Sequence, residues 1–386
     1  MKLKALALGV ALAFPMMASA QSSTSVTLYG IVDTAVEYVN NIADGAGGTN
    51  SSFHFTNLTQ SVPSRWGLRG TEDLGNGLKA VFTLESGFNA GTGQSGQGGR
   101  LYSRQAFVGL AGDWGQIAFG RQDNMLMRGM LGADIMGPNA YGLGSLDSYI
   151  PNTRMDNAIT YMGNFSGVKF GAAYARGRDN SAAGGPGGAN CGLEFADQSA
   201  CQAYSFMLGY DAANWGVAGA YDVITGSDTQ ANFQALGKDD KDRRWTVNGY
   251  VKFDALKVSL LYLNRKNDVG INTQPYTGVV PPVGSRLGER SDLWSLAASY
   301  QVSPAVTLDG SVNYINYKDA DTSSKAWYYV ARATYSLSKR TAVYASASYI
   351  RNKGLSNLSA AGGTAGANPN AGDNQTAVMA GLRHSF

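Results

Sequence analysis

The chain has 386 residues, a formal net charge of +3, only 15% charged residues, and 50 Gly, 21 Tyr and 14 Phe. So small a charge gives no electrostatic footprint for a nucleic-acid partner. Two cysteines cannot staple a fold of this size, and the two histidines, His54 and His384, stand far in sequence from Cys191 and Cys201, so neither a metal site nor a cofactor is expected.

Residues 1–20 have the form of a secretory signal. Lys2 and Lys4 open it, residues 5–14 are a short apolar run, and Ala18, Ser19 and Ala20 put small residues where a signal peptidase cuts. The run is too short to span a bilayer, which takes about 20 residues. The mature chain is expected to begin near Gln21, to lie outside the cytoplasm and, without the two lysines, to carry +1. No Pro-rich or Ser-rich linker divides residues 21–386. One large all-β unit therefore fits better than several soluble domains.

Period-two alternation runs through most of the chain. Leu78, Ala80, Phe82 and Leu84 share one face of a strand, and Lys79, Val81, Thr83 and Glu85 share the other. Sixteen such segments are expected, near residues 26–40, 59–72, 78–90, 101–111, 116–121, 156–165, 168–178, 202–211, 216–225, 243–253, 257–267, 291–302, 306–318, 326–337, 341–352 and 376–386. Short and long connections alternate between them. The long ones are 41–58, 91–100, 122–153, 179–201, 226–242, 268–290, 319–325 and 353–375. In lipid every backbone polar group must be paired within the protein, so only helices or closed barrels span a membrane. The chain has no apolar run of helix-spanning length after residue 20. An even number of strands, short turns on one side and long loops on the other predict a 16-stranded antiparallel transmembrane β-barrel. A soluble sandwich gives no reason for that alternation, and no blade repeat of a propeller is present. Trp114, Trp215, Tyr29, Tyr210 and Tyr300 lie near strand ends, where interfacial aromatic girdles sit.

The connection 122–153 is the longest run without a strand pattern. It holds Gly129, Gly132, Gly137, Gly142, Gly144, Pro138 and Pro151, and three acids, Asp123, Asp134 and Asp147. A loop this long inside a compact unit is either functional or a mobile surface lid. The fourth long connection carries Cys191 and Cys201, which could close a small local loop as a disulfide in an oxidising compartment. Enzymatic hydrolysis would need a nucleophile or acid with a positioned histidine. His54 in the first long loop and His384 on the lipid-facing parity of the last strand have no such partner, so no enzyme is expected.

Five stretches carry a family resemblance. They are Val26-Thr27-Leu28-Tyr29-Gly30 with Ile31 to Asp33; Ser64-Arg65-Trp66-Gly67-Leu68-Arg69-Gly70-Thr71-Glu72-Asp73-Leu74-Gly75; Gly77-Leu78-Lys79-Ala80; Leu337-Ser338-Lys339-Arg340-Thr341; and the terminal Gly381-Leu382-Arg383-His384-Ser385-Phe386. The last closes an alternating strand on an aromatic, which resembles the sorting signature of outer-membrane barrels. Together they resemble the trimeric general porins of Gram-negative bacteria, in their beta-proteobacterial branch. The resemblance implies three barrels per assembly, surrounded by outer-membrane lipid and lipopolysaccharide. It also implies a third long loop, here 122–153, folded inward to narrow a passive channel for small ions and hydrophilic solutes.

In that branch an arginine cluster on the barrel wall faces the third loop. Carried over, the cluster is Arg65, Arg104 and Arg154. Strand parity agrees for Arg65 and Arg154 and adds Arg69, Asp156 and Glu85 to the inner face, because Trp66, Leu68, Ile159, Tyr161 and Leu84 take the lipid side. A charge on the lipid face at mid-depth costs about 2–4 kcal/mol, which favours the inner placement. Strand four is ambiguous, since Phe107 and Val108 are both apolar. Where enteric porins carry Pro-Glu-Phe-Gly, this chain has Met136-Gly137-Pro138-Asn139. Asp123, Asp134 and Asp147 remain candidates for the acid facing the arginines, Asp134 being the most central in the loop. The expected pore favours anions weakly to moderately; the alternative is a substrate-specific porin for small organic acids.

Overall fold

The computed structural model describes residues 24–56, 59–96, 100–146, 148–149, 153–177, 200–226, 237–272, 286–318, 323–362 and 366–386. The signal segment 1–20 lies outside them. The strands are β1 (Ser25–Ala43), β2 (Thr49–Phe55), β3 (Arg65–Gly75), β4 (Leu78–Gly87), β5 (Gln105–Gly112), β6 (Gly115–Asp123), β7 (Arg154–Phe165) and β8 (Val168–Arg176). They continue as β9 (Gln202–Asp211), β10 (Trp215–Thr225), β11 (Lys241–Phe253), β12 (Leu256–Asn272), β13 (Arg286–Gln301) and β14 (Val306–Lys318). The series ends with β15 (Lys325–Ser336), β16 (Thr341–Lys353) and β17 (Asn374–Ser385). A short helix, α1 (Met125–Met130), follows β6.

Every neighbouring pair is antiparallel, and the sheet closes on itself where β1 pairs with β17 from Ile31 opposite Ser385 to Val39 opposite Ala377. Gly30 and Phe386 exchange both backbone hydrogen bonds at 3.1 and 3.0 Å and complete the seam. Closure leaves no unpaired edge. β2 and β3 lie along the same side of β1, β2 against residues 36–43 and β3 against residues 25–31. They are two halves of one interrupted strand, so the barrel has sixteen positions. Short turns use residues that accept positive φ. Ser166 and Gly167, at φ 52° and 92°, reverse the chain between β7 and β8 as a mirror-type hairpin turn requires.

The interruption corrects one expected strand. Residues 59–64 do not extend β3. Asp33 on β1 captures them instead: its carboxylate accepts from the Ser61 hydroxyl at 2.5 Å and from the Ser61 and Val62 amides at 3.1 and 2.9 Å. Tyr344 on β16 donates to the other oxygen at 2.6 Å. Pro63, with no N–H to give a ladder, falls in the same stretch. The segment turns into the barrel, where the Gln60 carbonyl accepts from the Ala140 amide at 3.0 Å.

The outer face is apolar. Val108, Phe119, Leu208, Val247, Leu260, Leu296 and Leu382 are all exposed. The core lies inside, between the wall and the chain that crosses the lumen. Leu261, Leu263, Leu293, Ile315 and Tyr328 point inward from β12 to β15 and are at most 1% exposed. They pack in one cluster with Met125, Leu126, Met130, Tyr141, Leu146 and Tyr149 of the third long loop.

Candidate pore constriction

The loop 122–153 is folded into the barrel, and its path can be followed by its fastenings. Asn124 caps α1 through its side chain, which accepts from the Met127 amide at 2.9 Å. The Met125 amide donates to Ser205 Oγ on β9 at 2.9 Å. Asn248 on β11 donates to the Gly129 carbonyl at 3.1 Å, Lys257 on β12 to Gly132 at 2.7 Å and Ser259 to Ala133 at 2.6 Å. Arg332 on β15 donates to Met136 at 3.1 Å. The loop thus runs around the inner wall from β9 to β15, and Ser145 ends the arc against Tyr328 and Gly362.

Strands β3 to β7 carry the charged groups. Glu85 on β4 stands opposite Gly67 on β3, and a side chain at Gly67 would collide with the Tyr29 hydroxyl at 2.9 Å. The space goes to Tyr29, which donates to Glu85 Oε2 at 3.0 Å. Tyr29 therefore belongs to the interior and not to the aromatic girdle. Arg104 Nε donates to Glu85 Oε1 at 2.6 Å, and Arg65 Nε lies 3.5 Å from Oε2. Two of the sequence-predicted arginines thus converge on the predicted carboxylate. Arg154 meets a different acid: its Nε is 3.8 Å from Asp123 Oδ1, while Gln105 donates to Asp123 Oδ2 at 3.1 Å. Arg69 lies two residue pairs from Glu85 toward the short-turn end and stacks over Tyr29 at 5.3 Å.

A third carboxylate and two arginines complete the wall. Arg100 donates to both oxygens of Asp156 at 3.0 and 2.9 Å, and Arg121 Nη1 donates to Oδ1. Arg100 and Arg121 were not among the sequence-predicted residues. The signal for Arg121 was Gly120: an isolated glycine in a strand pattern marks a bulge. Gly120 has φ 127°, Asn157, next to its partner Ala158, has φ 50°, and the β6–β7 register shifts there. Among the described residues, five arginines thus meet three carboxylates.

Asp134 is placed elsewhere. It is buried within the loop, accepts from the Tyr149 hydroxyl and, at 3.1 Å, from the Gly137 amide, and has Arg332 and Lys257 as its nearby cations. Burial pushes its carboxyl above the ordinary value of 3.8 in spite of these partners, and pushes the Tyr149 phenol well up. Asp147 and Cys191 lie outside the described residues; Cys201 is disulfide-bonded.

The Asp134 environment predicts a pH effect. A carboxyl whose folded pKa exceeds its unfolded value binds its proton more tightly in the folded state. Its contribution is complete below the unfolded value near 3.8 and is lost as pH rises through the folded value. Asp134→Asn keeps an acceptor for Tyr149 and Gly137 but cannot ionise. The thermal midpoint of D134N, minus that of the unsubstituted protein, is expected to grow between pH 4 and pH 7. Parallel midpoints across that interval would mean that the carboxyl is not destabilised by its burial.

The chain matches the family described as Gram-negative porin over residues 5–355. It is 34% identical over 394 aligned residues to an outer membrane porin protein of Bordetella pertussis, covering 95% of this chain and 96% of that one. It is 30% identical over 386 residues to outer membrane porin protein 32 of Delftia acidovorans, again covering 95% and 96%. Its fold superposes on the anion-selective porin from Comamonas acidovorans with a TM-score of 0.73 and 26% identity, covering 94% of this chain and all of that one. A closed sixteen-position barrel with an inward third loop, and relatives matched along nearly the whole chain, lead to one assignment. The chain belongs to the Gram-negative porin family and is an outer-membrane diffusion channel.

Proposed function

We propose that this channel passes small hydrophilic solutes and ions passively, with a weak to moderate preference for anions. The observation that carries the reading is the gathering of Arg65, Arg104, Arg154, Arg100 and Arg121 against Glu85, Asp123 and Asp156. At about 6 Å and an effective dielectric near 20, one unit charge acts on an ion by roughly 2–3 kcal/mol. Physiological salt, with a Debye length of about 8 Å, reduces this. A wall rich in arginine then biases flux without excluding cations. The anion selectivity named for the Comamonas acidovorans porin supports the same direction. In a planar bilayer under a potassium chloride gradient, the zero-current potential should take the sign of chloride permeation. A potential of the opposite sign would overturn the preference.

A homotrimer is part of the same reading. One Vibrio cholerae relative by fold is described in a trimer form. On the outer face of this barrel, Ala331, Ala333, Ala345, Ala347 and Ala380 line a shallow apolar hollow. Unboiled protein in mild detergent is expected to sediment as a trimer that heating dissociates; a monomer before heating would remove this part. Residues 1–20 are proposed to be cleaved on export, leaving an N-terminus near Gln21. The partner proposed for Cys201 is Cys191, the other cysteine of the chain. A loop of about 11 residues would gain at most a few kcal/mol. Thiol labelling of unreduced protein should find none, and two labelled thiols would refute the bridge.

A further inference from the structure

On the short-turn side of α1 a second group of charges faces a small hollow. The hollow lies between α1 and the inner wall of β8 to β11, where Arg128, Lys169, Asp211, Asn248 and Tyr250 line it over a floor of glycine and alanine. Lys169 stands two residues beyond Gly167 of the β7–β8 turn, and Asp211 ends β9 at the next short turn. Long loops mark the external side of such barrels, so these groups stand at the periplasmic end of the wall. The Lys169 ammonium pairs with Asp211 Oδ2, and the Tyr250 hydroxyl donates to Oδ1 at 3.1 Å. Gly216 makes that meeting possible: a Cβ there would collide with Asp211 Oδ1 and lie 2.7 Å from the Tyr250 ring. Lys252 and Lys257 stack on the same ring, 5.4 and 4.4 Å from its centre.

Arg128 has no such partner. Its Nε is buried without a hydrogen bond, and no carboxylate among the described residues pairs with it. An unpaired buried polar group costs free energy, and α1 is seated by its buried methionines, so fold stability gives no reason for an arginine here. We propose that the hollow binds hydrogen phosphate: Arg128 and Lys169 take its anionic oxygens, and the Asp211 carboxylate accepts from its P–OH. A cavity of about 40 Å³ holds a compact oxyanion and excludes a chain. The Arg128 fork matches phosphate oxygens in pairs, and the Lys169 ammonium has donors left beside the one that meets Asp211. Asp211 is what separates phosphate from other oxyanions. A carboxylate offers about four acceptor sites, and Lys169 and Tyr250 leave some of them open. At neutral pH every phosphate ion keeps a proton to donate to such a site. Sulfate has none and would set an oxygen against the carboxylate. The inference rests on the anion-passing channel proposed above, since external phosphate reaches the hollow through its lumen.

The test measures equilibrium binding of radiolabelled inorganic phosphate to the detergent-solubilised, unheated protein at neutral pH, with sulfate as competitor. A hydrogen bond to a charged group is worth about 10- to 100-fold in affinity. Sulfate is therefore expected to compete at least about tenfold less well than unlabelled phosphate. Asp211→Asn, whose amide can donate to either ion, should bring the two competitors close to equal. Arg128→Gln removes no ion pair of the fold; with the barrel verified by its heat-modifiable migration, it is expected to bind phosphate at least about tenfold more weakly. Sulfate competing as well as phosphate in the unsubstituted protein would overturn the proposal, and that arm needs no variant to fold. Unchanged phosphate affinity in folded R128Q would overturn it too. So would loss of binding on replacing Arg65 and Arg104 with binding intact in R128Q, which would assign the ion to the constriction. Failure of the anion preference itself would appear separately, in the sign of the zero-current potential, because the binding measurement passes no current.

Discussion

Glutamine at both Arg65 and Arg104 is expected to carry the zero-current potential in a salt gradient from the chloride side to neutrality or beyond. The pair shares Glu85, with contacts of 3.5 and 2.6 Å. Among the described residues, removing both leaves three arginines against three carboxylates on the wall of β3 to β7, and Glu85 keeps the Tyr29 hydroxyl. Breaking a buried pair from the cationic side typically costs about 3–5 kcal/mol, so the double variant should also melt earlier. Folded barrel must therefore be selected by its migration before recording. Glu85→Gln supplies the opposite sign: five arginines against two carboxylates should strengthen chloride preference. Opposite shifts in R65Q/R104Q and E85Q place these groups in the narrowest part. Unchanged potentials in both folded variants would place them outside it.

What could be read in advance depended on whether each strand had lipid on one face and something of contrasting polarity on the other. β15 and β16 met that condition: Trp327, Tyr329 and Tyr349 face out, and Tyr328, Val330 and Ile350 are buried within. Their alternation of exposed and buried positions follows period two. β12 met it less well, because Leu260 faces lipid while Leu261 and Leu263 face the third loop, and both faces are apolar. At these positions the inner side of the barrel is apolar because the third loop packs against it. The second strand was misplaced because its start is set by Asp33, 28 residues before Ser61, and no local pattern records that capture. Arg65 was read from parity and resemblance together, Glu85 from parity alone, and Arg104 from the resemblance alone, because Phe107 and Val108 left the parity of its strand ambiguous. Arg100 and Arg121 were not, because a bulge at Gly120 and Asn157 resets the count of faces. Asp134, central in the loop sequence, is fastened near the wall of β12 and β15, since position along a loop says little about position across a lumen.

Aspartate at both Met125 and Met130 should release the third loop while leaving the barrel closed. Both methionines of α1 are fully buried. Their seat is shaped for them: a Cβ at Gly171 on β8 would lie 2.4 Å from Met125 Sδ, and one at Gly129 would lie 2.9 Å from Ala220 on β10. Truncating a buried methionine costs about 2–5 kcal/mol, and an unpaired buried carboxylate costs more, unless the segment leaves the site. The ladder from β8 to β11 is complete without the loop, so the strands have no need to part when α1 departs. The two hydrogen bonds at α1, Met125 N–H to Ser205 Oγ and Asn248 to the Gly129 carbonyl, each about 1 kcal/mol net, are too weak to hold it there. Two readouts follow. Trypsin should cut after Arg128 in the variant at concentrations that leave the unsubstituted protein whole, and the nicked barrel should keep its heat-modifiable migration. Single-channel conductance should rise and become noisy as the loop leaves the wall, with a smaller effect in M125A/M130A. A folded M125D/M130D barrel that resists trypsin and conducts as the unsubstituted protein does would show that α1 is not what holds the constriction in place.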